Sequence, residues 1–370
     1  MLINQQAGKE PTSGQEANTS LLLYCLFRVS IYLNLFSRES VSIATMGAQW
    51  SQFFPPPPQF TSASIPSLSG KVFLITGGAS GIGYELAKIL YQKSACVYIA
   101  GRSEERALKA ISEIRSTSPS ATGGRLEFLH LRLDDLQSIK ASVDTFKAKE
   151  SKLHVLWNNA GVSRPPVGSV SKQGIELQLA TNCLGPFLLT QLLLPLLQET
   201  ASGLNPGSVR VVWTSSQVIE LSAPKETLIM SEVRSPPADA TKCYLNSKTG
   251  NFLLASELAR RCGESHNGII SVATNPGAAS TDLFRHTPSV RYLAWPLLHK
   301  PEMAALTQLY AGLSSDITAQ TNGCYVIPWG RIHSNLGNNL LEATQLPDEG
   351  GSGRASEFWD FCVQMTSEYQ

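Results

Sequence analysis

The sequence predicts an α/β protein, a single doubly wound domain on a mostly parallel seven-stranded sheet. Three observations carry this expectation. From Gly70 onward, short β-branched or apolar runs alternate with stretches whose apolar residues recur at helical spacing, the pattern of strands joined by covering helices. A glycine-rich segment sits where the first run meets the first helical stretch. Of the 370 residues, 42% are hydrophobic, enough to fill one large core.

The expected strands are VFLIT (72–76), VYIA (97–100), EFLHL (127–131), HVLWN (154–158), VRVVWT (209–214), IISVAT (269–274) and CYVIP (324–328). Between them, Leu136, Ile139, Val143 and Phe146 mark one amphipathic helix, and Leu108 and Ile111 another that ends in the Ser/Thr/Pro turn at 116–120. LATNCLGPFLLTQLLLPLL (179–197) predicts a strongly apolar helix with a polar interruption at Asn182. Beyond the EGGSG loop, Phe358, Phe361, Cys362 and Met365 share one side of a last helix. Neither a repeat nor a shift in composition follows Gly70, so residues 68–370 read as one domain.

Residues 46–67 read as a proline-rich leader, with prolines 55 to 58 forming a stiff polyproline II spacer. Residues 1–45 are a poorly defined extension. Its apolar stretch SLLLYCLFRVSIYLNLF (20–36) is marginal for a membrane span and is broken by Arg28 and Asn34. The polar residues before it do not form the basic leader of a signal peptide. Three readings stay open: a weak interfacial anchor, a disordered extension, or a segment upstream of a true start at Met46.

Thirty Lys and Arg nearly cancel 29 Asp and Glu, which argues against nucleic-acid binding and against strong membrane association. The seven cysteines are dispersed, without Cys-x-x-Cys or clustered histidines. That usage suits reduced thiols in the cytoplasm and provides no metal site.

The chemistry begins at LITGGASGIG (74–83), between strand and helix. Gly77, Gly81 and Gly83 let the backbone turn tightly and approach a ligand, and the helix N-terminus beyond offers N–H groups to a pyrophosphate. Some 19 residues after Gly83, at the end of the second strand, Arg102 stands where an acidic residue would bind a ribose 2′-hydroxyl. A guanidinium suits a 2′-phosphate instead, so Arg102 argues for NADP(H).

With its T-G-x-x-x-G-x-G spacing, the chain resembles the short-chain dehydrogenase/reductase family from about Leu68 to the C-terminus, and within it the retinol-dehydrogenase-like branch and its fungal relatives. WSQFFPPPPQF looks like the opening of such fungal members. The resemblance implies a Rossmann-type domain in which Gly77, Ser80, Gly81, Ile82 and Gly83 form the dinucleotide loop. It implies that Asn159 of NNAG (158–161) approaches the adenosine side and braces the sheet, and that Thr281 of NPGAAST holds the nicotinamide carboxamide. Arg132 and Ala279 depart from the family pattern, which has Asp and a branched aliphatic residue there.

The resemblance also assigns catalytic roles. Tyr244, four residues before Lys248 in TKCYLNSK, becomes the acid/base. Lys248 is its charge partner and binds the nicotinamide ribose. Ser216, the second serine of VRVVWTSSQ, holds the substrate oxygen, and Asn182 holds a water that links Lys248 to solvent. The expected function is an NADP(H)-dependent oxidoreductase acting on a ketone, aldehyde or secondary alcohol of a lipophilic small molecule, with secondary metabolism as the context. A nucleotide-sugar epimerase or dehydratase and a non-catalytic nucleotide sensor are the alternatives. The 27 residues between Ser216 and Tyr244 and the segment 280–300, with Leu283, Phe284, Tyr292, Leu293 and Trp295, are the expected walls of an apolar substrate pocket. A homo-oligomer is compatible with the sequence.

Overall fold

The structure, a computed structural model, describes residues 50–118, 123–264 and 268–370. The extension 1–45 and Met46 lie outside the described residues. So does the side chain of Leu293.

Strand β1 (Val72–Thr76) is buried at every position, as a strand covered on both faces must be. It is followed by β2 (Cys96–Gly101), β3 (Arg125–His130), β4 (Val155–Asn158), β5 (Val209–Thr214), β6 (Ile269–Thr274), β7 (Tyr325–Ile327) and β8 (Arg331–Ile332). Their order in the sheet is β3-β2-β1-β4-β5-β6-β7-β8. All neighbours are parallel except β7 and β8. The order reverses between β1 and β4, which opens a crevice at the carboxyl ends of the strands, where open α/β sheets bind ligands.

The sheet has eight strands where the sequence predicts seven. The extra one is two residues long, too short to show a period, and it begins with a polar Arg331. It forms because the turn at Trp329 and Gly330 has positive φ at both residues, 48° and 87°, which folds the chain back onto β7.

The helices follow their apolar spacing with one correction. Helix Leu136–Lys147 buries Leu136, Ile139, Val143 and Phe146. Helix Glu104–Ser116 buries Ala107, Ala110, Ile111 and Ile114, while Leu108 is 51% exposed. Two small alanines therefore define that face, because they let the helix approach the sheet closely. The last helix, Arg354–Thr366, buries Phe358, Phe361 and Cys362. Phe358 presses on Gly250, where an added Cβ would lie 2.7 Å from the ring, and Trp359 meets Phe187 edge-on at 4.9 Å.

The apolar helix around Asn182 runs from Leu177 to Ser202. By length and composition it could cross a membrane, but 72% of its apolar window is buried inside the fold. One turn of it, Ala180–Leu184, is a π-helix. Upstream, the leader does more than space the domain. Gln52, Phe53 and Ile65 are all buried, and Phe53 packs with Leu221 and Leu297. The six cysteines among the described residues are all free thiols.

His154, at the amino end of β4, is buried and its Nδ1 accepts the Val72 N–H at 3.0 Å. Burial, reinforced by Lys71, lowers its pKa from 6.5 to about 4. Below pH 6.5 the unfolded chain takes up this proton and the folded chain does not, so the stability that neutral His154 confers is lost as pH falls from 6.5 toward 4. The gap in unfolding free energy between the wild type and His154→Asn should narrow by about 2 kcal/mol between pH 7 and pH 4.5, measured by urea denaturation at both pH values.

Candidate active site

The loop after β1 is shaped by positions that tolerate no side chain. Gly77 and Gly81 have φ of 69° and 57°, in the left-handed region that favours glycine. A Cβ on Gly83 would lie 2.6 Å from the Gly77 carbonyl oxygen, so this glycine seats helix Gly81–Gln92 directly on the loop. Ser80, the N-cap of that helix, makes no side-chain capping bond. The first-turn N–H groups are therefore left to a ligand.

Beside the loop, Thr76 ties the ends of β1 and β4 together. Its hydroxyl accepts the N–H groups of Asn159 and Ala160 at 3.0 and 2.9 Å, while the Asn159 amide donates to the Thr76 carbonyl at 2.9 Å. Asn159 thus braces the sheet and holds the cavity wall in place.

A cavity of about 330 Å³ runs along the carboxyl edge of the sheet. It gathers Gly77, Ser80, Gly81, Ile82, Arg102, Asn159, Ser216, Tyr244, Lys248 and Thr281 on its walls. Gly83 and Asn182, also predicted, are not on its surface and act from behind it. Arg102 pairs with Asp134 at 3.2 Å, and Arg106, another lining residue, pairs with Asp282 at 2.9 Å. Arg132, the departure noted in the sequence, reaches the same Asp134 oxygen at 3.5 Å. The other oxygen, Asp134 Oδ1, is buried with no hydrogen-bond partner among the described residues.

At the other end, helix Ala240–Glu264 carries Tyr244 and Lys248. Lys248 is 3% exposed. Its Nζ donates to the Thr214 carbonyl at the end of β5 at 2.9 Å. Desolvation lowers its pKa from 10.5 to about 8. The Lys248 ammonium lies 5.9 Å from the Tyr244 ring centre, and the Arg164 guanidinium 5.7 Å from it.

Of the serine pair, Ser215 donates its hydroxyl to the Lys248 carbonyl at 2.8 Å. Among the described residues, the Ser216 hydroxyl keeps only a long 3.4 Å contact to the Val218 N–H. Its own carbonyl accepts the Tyr325 hydroxyl at 3.0 Å, which fixes the backbone and leaves the side chain at the cavity wall.

Asn182 is 1% exposed and fully engaged. Its Nδ2 donates to the Val162 carbonyl and to Ser247 Oγ at 3.0 and 2.9 Å, and its Oδ1 accepts the Val162 N–H at 2.8 Å. Both amide hydrogens are committed, so the side chain positions the loop after β4 against the Tyr244 helix. The π-turn that contains Asn182 shifts the backbone register there, as such turns do at functional sites.

The expected substrate walls are only partly found. Leu283 and Phe284 line the cavity, but Tyr292 and Trp295 are 76% and 74% exposed. The short helix Pro288–Ala294 and the turn after it turn Ala294 and Leu297 inward instead. Sequence reasoning missed Arg164, Arg106 and Asp134. Arg164 left one signal, a charged residue three positions after the NNAG segment.

The family model for short chain dehydrogenase matches residues 71–290. A short-chain dehydrogenase/reductase of Pestalotiopsis fici is 44% identical over 326 residues, covering 86% of this chain and 98% of that protein. One from Phomopsis amygdali is 42% identical over 328 residues, covering 86% and 96%. A crystal structure from Mycobacterium paratuberculosis has a TM-score of 0.61 at 26% identity, over 83% of this chain and 97% of that one. The fold and the glycine-lined crevice define a dinucleotide-dependent oxidoreductase. The chain belongs to the short-chain dehydrogenase/reductase family, whose members work with a nicotinamide dinucleotide.

Gly83→Ala forces a methyl into the Gly77 carbonyl. It should weaken dinucleotide binding by tenfold or more and lower the melting temperature by several degrees. Gly203→Ala, where an added Cβ meets nothing within 4 Å, should leave both unchanged, as read by fluorescence titration and thermal melts.

Proposed function

We propose that this protein is an NADP(H)-dependent reductase or dehydrogenase acting on a ketone, aldehyde or secondary alcohol of a lipophilic small molecule in fungal secondary metabolism. The observation that carries the reading is the convergence of Ser216, Tyr244 and Lys248 on the cavity that the glycine loop opens. The fungal source of the relatives in sequence supports the metabolic setting.

The site fits the dinucleotide. The uncapped N-terminus at Ser80 faces a pyrophosphate, the unpartnered Asp134 Oδ1 suits the amino group of adenine, and Arg102 with Arg106 suits a 2′-phosphate. Thr281, which lines the cavity across from Gly81, would take the carboxamide. When bound, the reduced nicotinamide supplies hydride to the carbonyl carbon.

In this reading Tyr244 gives its phenolic proton to the carbonyl oxygen, and the Ser216 hydroxyl donates a hydrogen bond to the same oxygen as charge develops there. Two cations, Lys248 and Arg164, flank the Tyr244 ring. Asn182 keeps the Tyr244 helix in register with the loop after β4.

Three outcomes test this. Tyr244→Phe should lower kcat by about 10² to 10⁴ in an assay of reduced-nicotinamide absorbance with hydrophobic ketones; full retained rate refutes the assignment. Reductive kcat/KM should fall as pH rises through about 8, where Lys248 loses its proton, since this quantity reports groups of the free enzyme. Arg102→Asp should reverse a preference for NADPH over NADH by at least about tenfold, because a carboxylate repels the 2′-phosphate.

A further inference from the structure

We infer that residues 50–54 are a strap belonging to the active site, with Gln52 a positioning residue that ties the Ser216 loop to the nicotinamide-side loop 275–281. The inference rests on the reading of those two loops given above and adds a residue that lies well before the glycine motif in sequence.

Gln52 is 1% exposed, and its amide is spent on two loops far from it in the chain. Its Oε1 accepts Asn275 Nδ2 at 2.8 Å, and its Nε2 donates to both carboxylate oxygens of Glu220, at 3.0 and 3.1 Å. Each partner holds a piece of the site. Asn275 Oδ1 accepts the Gly277 N–H at 3.0 Å, closing the turn that leads to Thr281. Glu220 lies in the short helix Val218–Ser222 that starts two residues after Ser216, and its Oε2 is 2.8 Å from His333 Nε2.

The strap also grips the substrate segment at its far end. The Phe53 carbonyl lies 2.8 Å from His299 Nε2. His299 in turn bridges back to the nicotinamide-side loop, its N–H donating to Ala278 at 2.7 Å and its carbonyl accepting from Ser280 at 2.9 Å. The Phe53 ring packs against Leu221 and Leu297, one from the Ser216 side and one from the substrate segment. Arg331 anchors the strap from β8 by donating to the Ser51 carbonyl at 2.7 Å.

A stretch that merely stabilised the domain could bury its aromatics anywhere on the surface. This one directs a buried amide between the two loops that have to stay in register for hydride and proton to reach one carbonyl. A buried amide donor or acceptor left without its partner destabilises the local structure, so losing Gln52 loosens both loops where they face the cavity.

The test uses the full chain with Gln52→Leu, Gln52→Glu and the swap Gln52→Glu/Glu220→Gln, which exchanges donor and acceptor across the same contact. Hydrogen exchange and steady-state kinetics are read together. In Gln52→Leu, amides in 276–300 should exchange about tenfold faster while those of β5 stay unchanged. KM for the dinucleotide should rise about five- to tenfold, with kcat within about twofold. Gln52→Glu should behave as badly or worse, and the swap should recover most of the protection and of KM. Unchanged exchange in 276–300 with unchanged KM overturns the inference. So does faster exchange spread evenly over the chain, which would mean stabilisation only. If the wild type turns over no carbonyl substrate, the functional reading fails, and the exchange pattern still decides the strap.

Discussion

Lys248 carries an ammonium group into the interior, and the surrounding fold is arranged to tolerate it. A buried charge without partners costs several kcal/mol, so its Nζ is placed on the Thr214 carbonyl at the very end of β5. Asn251 donates to the same carbonyl, and Ser215 to the backbone of Lys248 itself. These bonds dock helix Ala240–Glu264 onto the strand at one depth. Tyr244, one turn earlier, and Ser216, one residue past Ser215, then have little freedom to move relative to each other. Asn182 extends the brace through Ser247 to the loop after β4. The relative placement of Ser216, Tyr244 and Lys248 is thus a consequence of satisfying one cation.

The opposite edge of the sheet solves the same problem with the same means. Arg210, near the amino end of β5, is buried, and its guanidinium donates to the carbonyls of Gly207, Ala311, Ser314 and Ile317. Desolvation lowers its pKa to about 10. Between the two cations, Gln308 bridges the Thr214 and Thr274 hydroxyls and its carbonyl accepts the Trp157 indole N–H. Helix Pro301–Leu313 is therefore fastened across β4, β5 and β6 by polar contacts inside an apolar core. Such polar contacts favour one arrangement of the layers, because any slip leaves a buried donor without an acceptor.

Strands were legible where burial on both faces wrote a largely apolar, β-branched run, as in β1, β5 and β6. The glycine loop was legible because strand and helix framed it. Asn182 was legible because a buried amide in an apolar helix demands partners, although which partners it takes was not. Other features left no local trace. The helix with Leu108 is seated by alanines, which carry little hydrophobic signal. Tyr292 and Trp295 read as pocket walls by composition, yet their side chains face solvent, a choice made by where a short helix lands. Gln52 read only as part of the proline-rich leader, since its partners Asn275 and Glu220 are 223 and 168 residues away.

The sequence by itself determined the class of fold and the glycine loop, because each depends on local spacing that a strand end or helix turn preserves, while the four residues proposed for catalysis came from the family resemblance. Only the tertiary structure decided that Asp134 takes both Arg102 and Arg132, that Arg164 faces the Tyr244 ring, and that Gln52 of the leader bonds Asn275 and Glu220. These are matters of which buried hydrogen bonds can be satisfied at once. That condition involves segments far apart in the chain, and it is met only when the whole domain is assembled.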